Sequence, residues 1–234
     1  MSRAELKRDA KEKLKGNWGT VIIVIIIVGA ITFFCNQAVM SLFGKDIDTE
    51  FLGGDTVKMK SLSSPGLLVN VVVSCAIAAF FGLGQSKVFL KVSRSEKPSV
   101  EDVFSMGKYF VPAFIAAFVT ALFVGLWTLL LIIPGIIASY RYKLYQYVLL
   151  DNPDMKAMEV VSRCKEMMVG HKMDLFVLEL SFLGWMILGL FTLGLLYLWL
   201  TPYMNVTVAN FYNDIVGYDG ETKETAEVEA EVAE

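Results

Sequence analysis

Tyr109 to Tyr140, YFVPAFIAAFVTALFVGLWTLLLIIPGIIASY, is a stretch of 32 residues without a charged side chain. A helix rises about 1.5 Å per residue, so one pass through a hydrocarbon core of about 30 Å needs about 20 residues. The stretch is too long for one pass, and Pro134-Gly135 supplies a turn signal in its second half. It therefore predicts a helical hairpin that crosses a bilayer twice, with its hairpin turn at Pro134 and Gly135.

A second uncharged stretch repeats this pattern. Leu180 to Asn213 covers 34 residues and contains a turn signal at Thr192-Leu193-Gly194. Hydrophobic residues make up 55% of the chain and charged residues 19%, which is more apolar than soluble domains usually are. In lipid the backbone must satisfy its own hydrogen bonds, and helices do this within one segment. We therefore predict an all-α fold, a polytopic transmembrane helical bundle whose surrounding partner is the lipid bilayer.

Six membrane spans follow from the apolar runs, and the basic residues orient them. The predicted spans are roughly 20–43, 66–88, 109–133, 135–150, 174–192 and 195–213. Six basic side chains precede the first span, five lie in 87–108 and four in 151–173, so all three segments fall on one side. The positive-inside rule assigns that side to the cytoplasm, which places both termini there. If the short, charged fourth span lies along the surface instead, the count is five and the carboxyl terminus changes sides.

The chain divides into three parts. Residues 1–17 are predicted to form a basic amphipathic helix, residues 18–218 the transmembrane domain, and residues 219–234 a disordered acidic tail with seven acidic residues and one lysine. The amino-terminal helix is interpreted either as a simple positive-inside anchor or as an element that recruits anionic lipid headgroups.

Two stripes of small residues are predicted to pack two consecutive spans closely. Helices in lipid associate through small residues that allow the backbones to approach. One stripe lies on the second span and the other on the third, each at intervals of four residues: Ser74, Ala78 and Gly82, and Ala113, Ala117, Ala121 and Gly125. Because the two spans are antiparallel neighbours, we expect the stripes to face each other.

Ionisable residues within the fourth and fifth spans form a predicted intramembrane polar cluster. Its members are Arg141, Lys143, Gln146 and Glu179. Such charges cost several kcal/mol unless they are paired, so they indicate function or pinning. Counted along the spans, Glu179 lies at nearly the same depth as Lys143 and Arg141. Three interpretations remain open: an ion pair that pins the two spans, a polar cavity that binds an anion or couples a proton, and side chains that extend to the interface.

A second amphipathic helix is predicted between these spans, in the cytoplasmic segment. Asn152-Pro153 is a typical helix start. The apolar side chains that then follow at helical spacing are Met155, Met158, Val161, Cys164 and Met168. A methionine-rich stripe indicates either ordinary packing or an adaptable binding surface.

Several motifs resemble those of a known family. They are RAELK (3–7), LKGNW (14–18), LLLIIPGII (129–137), YRY (140–142), DNPD (151–154), MMVGHK (167–172), LSFLGW (180–185) and LWLTPY (198–203). Together, over nearly the whole chain, they resemble the bacterial integral membrane proteins known as domain of unknown function 975. The resemblance implies a multi-span protein of the bacterial cell (plasma) membrane and assigns no activity.

Enzyme chemistry is not expected from these residues. His171 is the only histidine and the three cysteines are far apart, so the usual metal and nucleophile spacings are missing from the sequence. We predict no cofactor, no metal and no nucleic-acid partner.

Two functional hypotheses remain. The first is a non-catalytic membrane scaffold or regulatory protein that organises an unknown protein partner through its two amphipathic helices. The second is a small-solute transporter or permease that uses the intramembrane polar cluster between spans four and five as its site.

Overall fold

The computed structural model describes residues 2–50 and 56–218. The predicted disordered tail, 219–234, lies outside the described residues. In chain order the helices and strands are α1 (Arg3–Lys13), α2 (Trp18–Phe43), β1 (Gly44–Glu50), β2 (Thr56–Leu62), α3 (Ser64–Ile77), a π-helical turn (Ala78–Gly82), α4 (Leu83–Ser93), α5 (Glu101–Phe104), a 3-10 turn (Ser105–Tyr109), α6 (Phe110–Leu130), α7 (Ile132–Tyr142), α8 (Tyr145–Asp151), α9 (Ala157–Met167), α10 (Lys172–Leu180), α11 (Leu183–Phe191) and α12 (Tyr197–Val216).

Four helices in the described part of the chain are long and apolar enough to cross a membrane. They are Trp18–Phe43, Ser64–Ser93, Glu101–Leu130 and Lys172–Phe191, and they contain 20 to 30 residues each. These helices confirm the predicted helical class with segments able to span a membrane, and they correspond to the first, second, third and fifth predicted spans. The fourth predicted span is divided between α7 and α8, and the sixth lies in α12. Six spans therefore stay a prediction.

The second and third of these long helices are not regular throughout. A five-residue π-helical turn joins α3 to α4, and a 3-10 turn joins α5 to α6. A π turn widens the helix by one residue per turn and is uncommon within helices. It changes the direction in which the side chains of α4 point relative to those of α3.

An antiparallel β-hairpin follows α2. Strand β1 pairs with β2 in a register that joins Gly44 to Leu62 and Glu50 to Thr56. Residues 44–65 are a loop in the sequence-based prediction, so this hairpin departs from it. The backbone N–H and C=O groups of the two strands bond to one another, so the ribbon forms without an apolar run in the sequence.

The buried core lies at one end of the bundle, which we call the core end. At this end α2 and α6 begin, α4, α8 and α12 finish, and α1 packs against α4 and α12. Leu6 and Ala10 of α1, and Leu14, which caps its end, are almost completely buried there. At the other end large apolar side chains are exposed, with Leu129 at 86% and Leu193 at 95%. An apolar exposed surface is what hydrocarbon contact requires.

Helix α1 begins with the cap that its sequence encodes. The Ser2 hydroxyl accepts the N–H of Glu5 at 3.3 Å, and the Ser2 N–H donates to the Glu5 carboxylate at 2.6 Å. These two bonds form a capping box. Because the Ser2 backbone and side chain both donate to it, the carboxyl group of Glu5 has a lowered pKa.

The first hairpin turn lies earlier than predicted. Helix α6 ends at Leu130, and Leu131 alone is extended, with φ −158° and ψ 137°. The prediction of a turn at Pro134 and Gly135 is therefore wrong by three residues. Pro134 sits in the first turn of α7, where its missing N–H has no helical partner to lose. Gly135 lets the two helices approach, since a Cβ there would lie 2.2 Å from Thr128 Oγ1.

The predicted start of the second amphipathic helix is also wrong. Asn152 caps the end of α8, and α9 begins at Ala157, with the Lys156 N–H donating to the Glu159 carboxylate at 3.2 Å. The buried face of the helix is rotated accordingly. It consists of Ala157, Val160, Val161 and Cys164, followed by Met168, whereas Met158 is 55% exposed.

Candidate functional site

The predicted intramembrane polar cluster is separated into three parts. Gln146 lies inside the bundle, where its Oε1 accepts the Ser86 hydroxyl at 2.6 Å. Its Nε2 donates to the Tyr145 hydroxyl at 3.2 Å and to the Ala78 carbonyl at 3.5 Å. Gly82 leaves the space that this amide occupies, because a Cβ there would lie 2.8 Å from Nε2. Gln146 therefore ties α8 to the second long helix and does not reach Glu179.

Glu179 is paired with Lys143 and not with Arg141. One carboxylate oxygen of Glu179 contacts Lys143 Nζ, and the other accepts the Tyr140 hydroxyl at 2.8 Å. The side chains of Lys143 and Glu179 are 39% and 17% exposed. Both oxygens of this carboxylate are thus occupied by groups from α7 and the residue after it. The pair joins α7 to α10.

Arg141 is the isolated member of the cluster. Its Nε is buried and has no hydrogen-bond partner among residues 2–50 and 56–218. Its backbone carbonyl accepts the Cys164 thiol at 3.4 Å, which holds α7 against α9.

The two small-residue stripes share a groove, but only Ala113 and Ala117 of the second stripe are buried. Ser74 and Ala78 line this groove with Ala117 and Ala121, and its volume is about 360 Å³. Ala113 and Ala117 are buried, whereas Ala121 is exposed. A Cβ added at Gly125 would meet no atom of the described residues within 4 Å, so this end of the stripe makes no close helix contact.

A polar network at the core end was missed from the sequence. Arg94 follows α4 and forms a two-pronged ion pair with Asp151 at the end of α8, at 2.8 and 2.6 Å. The Tyr212 hydroxyl of α12 donates to the same carboxylate at 2.8 Å. Burial lowers the pKa of the Arg94 guanidinium, but hydrogen bonds and charge from Asp151 raise it more, so the net shift is upward. Arg94 therefore stays charged.

The network continues into the interior through three side chains that are each less than a tenth exposed. The Ser93 hydroxyl donates to Asn210 Oδ1 at 2.6 Å and accepts Asn213 Nδ2 at 2.7 Å. Asn213 Oδ1 accepts Arg94 Nε at 3.2 Å, and Asn210 Nδ2 donates to the Leu6 carbonyl at 3.2 Å. We call this set the latch: Ser93, Arg94, Asp151, Asn210, Tyr212 and Asn213.

One signal in the sequence could have revealed the latch. Asn210 and Asn213 are three residues apart in a mostly apolar helix, so they lie on one face and must be satisfied there. Their partners could not be named, because Ser93 is 117 and 120 positions away in the chain.

The latch fastens α1 to the bundle, and lysines complete the attachment. Lys13 Nζ donates to the Ser93 carbonyl at 2.7 Å and pairs with Asp9 at 2.7 Å. Lys7 Nζ donates to the Ser181 carbonyl at 3.2 Å and lies 3.9 Å from the centre of the Phe182 ring. The remaining basic side chains of this region are exposed, namely Arg3, Arg8, Lys11 and Lys15.

Four long apolar helices, together with a polar network that fastens α4, α8 and α12 to one another, define a helical protein with several segments able to cross a membrane. The family model described as Protein of unknown function (DUF975) matches residues 1–134 and 128–218. The chain belongs to this family. No curated protein and no solved structure matches it.

Proposed function

We propose that the chain is a non-catalytic scaffold or regulatory protein of the bacterial plasma membrane. In this proposal six embedded segments run back and forth, and the core end, with both termini, faces the cytoplasm. The distribution of basic residues supports this orientation, because α1 and the segments before α6 and α10 carry most of them.

The observation that carries the proposal is the rigid attachment of α1. Three buried apolar side chains and the bond from Asn210 to the Leu6 carbonyl fix the helix, so its exposed cations occupy set positions. A prearranged charged surface loses little conformational entropy on binding. In this proposal the charged surface of α1 binds an acidic surface of a protein partner, and anionic lipid headgroups surround the helix.

Site-specific photo-crosslinking in native membranes tests the scaffold proposal. A photoreactive residue in place of Lys11, which is exposed on α1, is expected to give one stoichiometric adduct. The matched control replaces Lys45, an exposed lysine at the opposite end of the bundle. Absence of an adduct at Lys11, or equal adducts at both positions, would reject a partner-binding core end.

Thiol labelling tests the orientation separately. In a background without native cysteines, Lys97→Cys and Lys45→Cys are expected to react from opposite sides of sealed membrane vesicles. Reaction of both from one side would reject the proposed topology.

A second candidate, transport of a small solute, is favoured by one observation. The buried Nε of Arg141 lacks a hydrogen-bond partner in the described part of the chain, and a polar ligand would satisfy it. A solute path that reaches this guanidinium would admit water to position 141. Labelling of Arg141→Cys by a water-soluble thiol reagent would support transport, and complete protection would reject it.

A further inference from the structure

A cavity of about 240 Å³ opens at the core end, on the side of α4 that faces away from α1. It lies between α4, the 3-10 turn and the end of α8. Its polar lining residues are Lys87, Lys91, Arg94, Glu96, Lys108 and Asp151. Leu83, Leu90 and Leu149 make one wall of the cavity apolar.

Two lysines of the cavity share a single carboxylate. Lys91 Nζ contacts both oxygens of Asp102 at 2.8 and 2.9 Å, and Lys87 Nζ contacts one of them at 3.1 Å. Lys87 also donates to the Ser105 hydroxyl at 2.9 Å. The carboxylate is only 8% exposed, whereas the lysines are about a quarter exposed. Two ammonium groups and one carboxylate therefore leave one positive charge that is not neutralised.

Spare hydrogen-bond donors remain on these lysines. An ammonium group has three N–H bonds, and Lys87 and Lys91 each use at most two in the contacts above. Lys108 has no hydrogen bond or ion pair among the described residues, and its Nζ lies 4.8 Å from the centre of the Tyr109 ring. All three of its N–H bonds are available to a ligand.

The acidic groups of the cavity do not remove this surplus. Both oxygens of Asp151 are held by Arg94, and Asp102 also accepts the Ser99 N–H at 3.0 Å. Four cationic side chains line the cavity. Three acidic side chains, those of Glu96, Asp102 and Asp151, lie in or beside it. The cavity therefore combines a net positive charge with unused N–H donors and one apolar wall.

We propose that this cavity binds a phosphate group, held by Lys87, Lys91 and Lys108. A phosphate offers oxygens that accept from several ammonium groups at once, and lysine binds phosphate as a point charge. The group comes from an anionic lipid headgroup or from a soluble phosphate compound. The apolar wall suits the glycerol and first methylene groups of a lipid. The headgroup source rests on the proposed membrane function, whereas phosphate binding does not.

Binding to the purified, full-length protein tests the proposal and separates the two sources. The protein is placed in nanodiscs of phosphatidylcholine, and inorganic phosphate is titrated into one sample. A second series of nanodiscs contains phosphatidylglycerol, and the lipid retained by the protein is counted by native mass spectrometry. Saturable binding of inorganic phosphate supports a soluble ligand, and selective retention of phosphatidylglycerol supports a headgroup. If the protein shows neither of these two responses, the proposal is overturned.

The decisive variant is Lys108→Gln, because this lysine has no partner among the described residues to leave behind. It is expected to weaken phosphate or phosphatidylglycerol binding about fivefold, as for a partly exposed charge contact. Lys165→Gln is the matched control, an exposed lysine of α9 outside the cavity, and is expected to bind normally. Thermal unfolding checks that both variants fold. Equal binding by Lys108→Gln and Lys165→Gln would overturn the proposal, and this result is independent of any crosslinked partner.

Discussion

Replacing Gly84 with alanine tests how closely α4 and α5 must approach. A Cβ at Gly84 would lie 2.1 Å from the carbonyl oxygen of Val103 and 2.6 Å from its Cα. These are backbone atoms of a residue that is 1% exposed, so no flexible side chain can move aside. The two helices must separate by about 1 Å to restore an ordinary contact distance.

The expected cost of this separation is about 1–3 kcal/mol, the usual penalty for overpacking a well-packed site. For a chain of this size it lowers the melting temperature by about 2–12 °C.

Thermal unfolding in detergent, followed by tryptophan fluorescence, measures the effect. Gly125→Ala is the control, since it makes the same chemical change in a helix where a Cβ meets no described atom within 4 Å. It is expected to leave the melting temperature unchanged or to raise it slightly through better helix propensity. Equal melting temperatures for Gly84→Ala and the unmodified protein, or equal losses in the two variants, would refute the reasoning.

Three further substitutions test contacts within the bundle. Ala117→Leu should destabilise by about 1–3 kcal/mol because its site is buried, whereas Ala121→Leu, on the exposed part of the same stripe, should not; equal melting temperatures would contradict this. Glu179→Lys should lower the melting temperature. Adding Lys143→Glu in a double variant should restore about 1 kcal/mol of stability, because the pair is partly exposed; absence of rescue would reject the pairing. Tyr212→Phe removes only the hydroxyl that donates to the latch, and should cost about 1 kcal/mol in chemical or thermal unfolding, with no change in helix content by circular dichroism.

The long helices could be predicted from the sequence because uncharged runs of this length leave few alternatives. The exact turn between α6 and α7 could not, because proline is tolerated both in a turn and in the first turn of a helix. Leu131 gives no sequence signal of its own extended conformation. The same ambiguity placed the start of α9 at Asn152-Pro153, whereas Asn152 closes α8.

The candidate site was only partly accessible to sequence reasoning. A depth argument placed Glu179 near Lys143 or Arg141, and the structure brings it to Lys143. Arg94 counted only as a basic residue of a cytoplasmic loop, because its partner Asp151 is 57 positions away. Side chains that meet across helices carry no local pattern, so the latch and the lysine-lined cavity emerge only from the packed arrangement.

The bond between Asn210 and the Leu6 carbonyl joins residues 204 positions apart and so has a consequence for biosynthesis. The ribosome completes α1 first and α12 last, so the amino-terminal segment has its contacts with α4 but lacks those with α12 until nearly the entire polypeptide has been made. Docking of α1 onto α12 is thus a late step of assembly. A product that terminates before residue 210 lacks the bond to Leu6 and most contacts between α1 and α12, so its first helix is held more weakly and is more accessible to quality-control proteases.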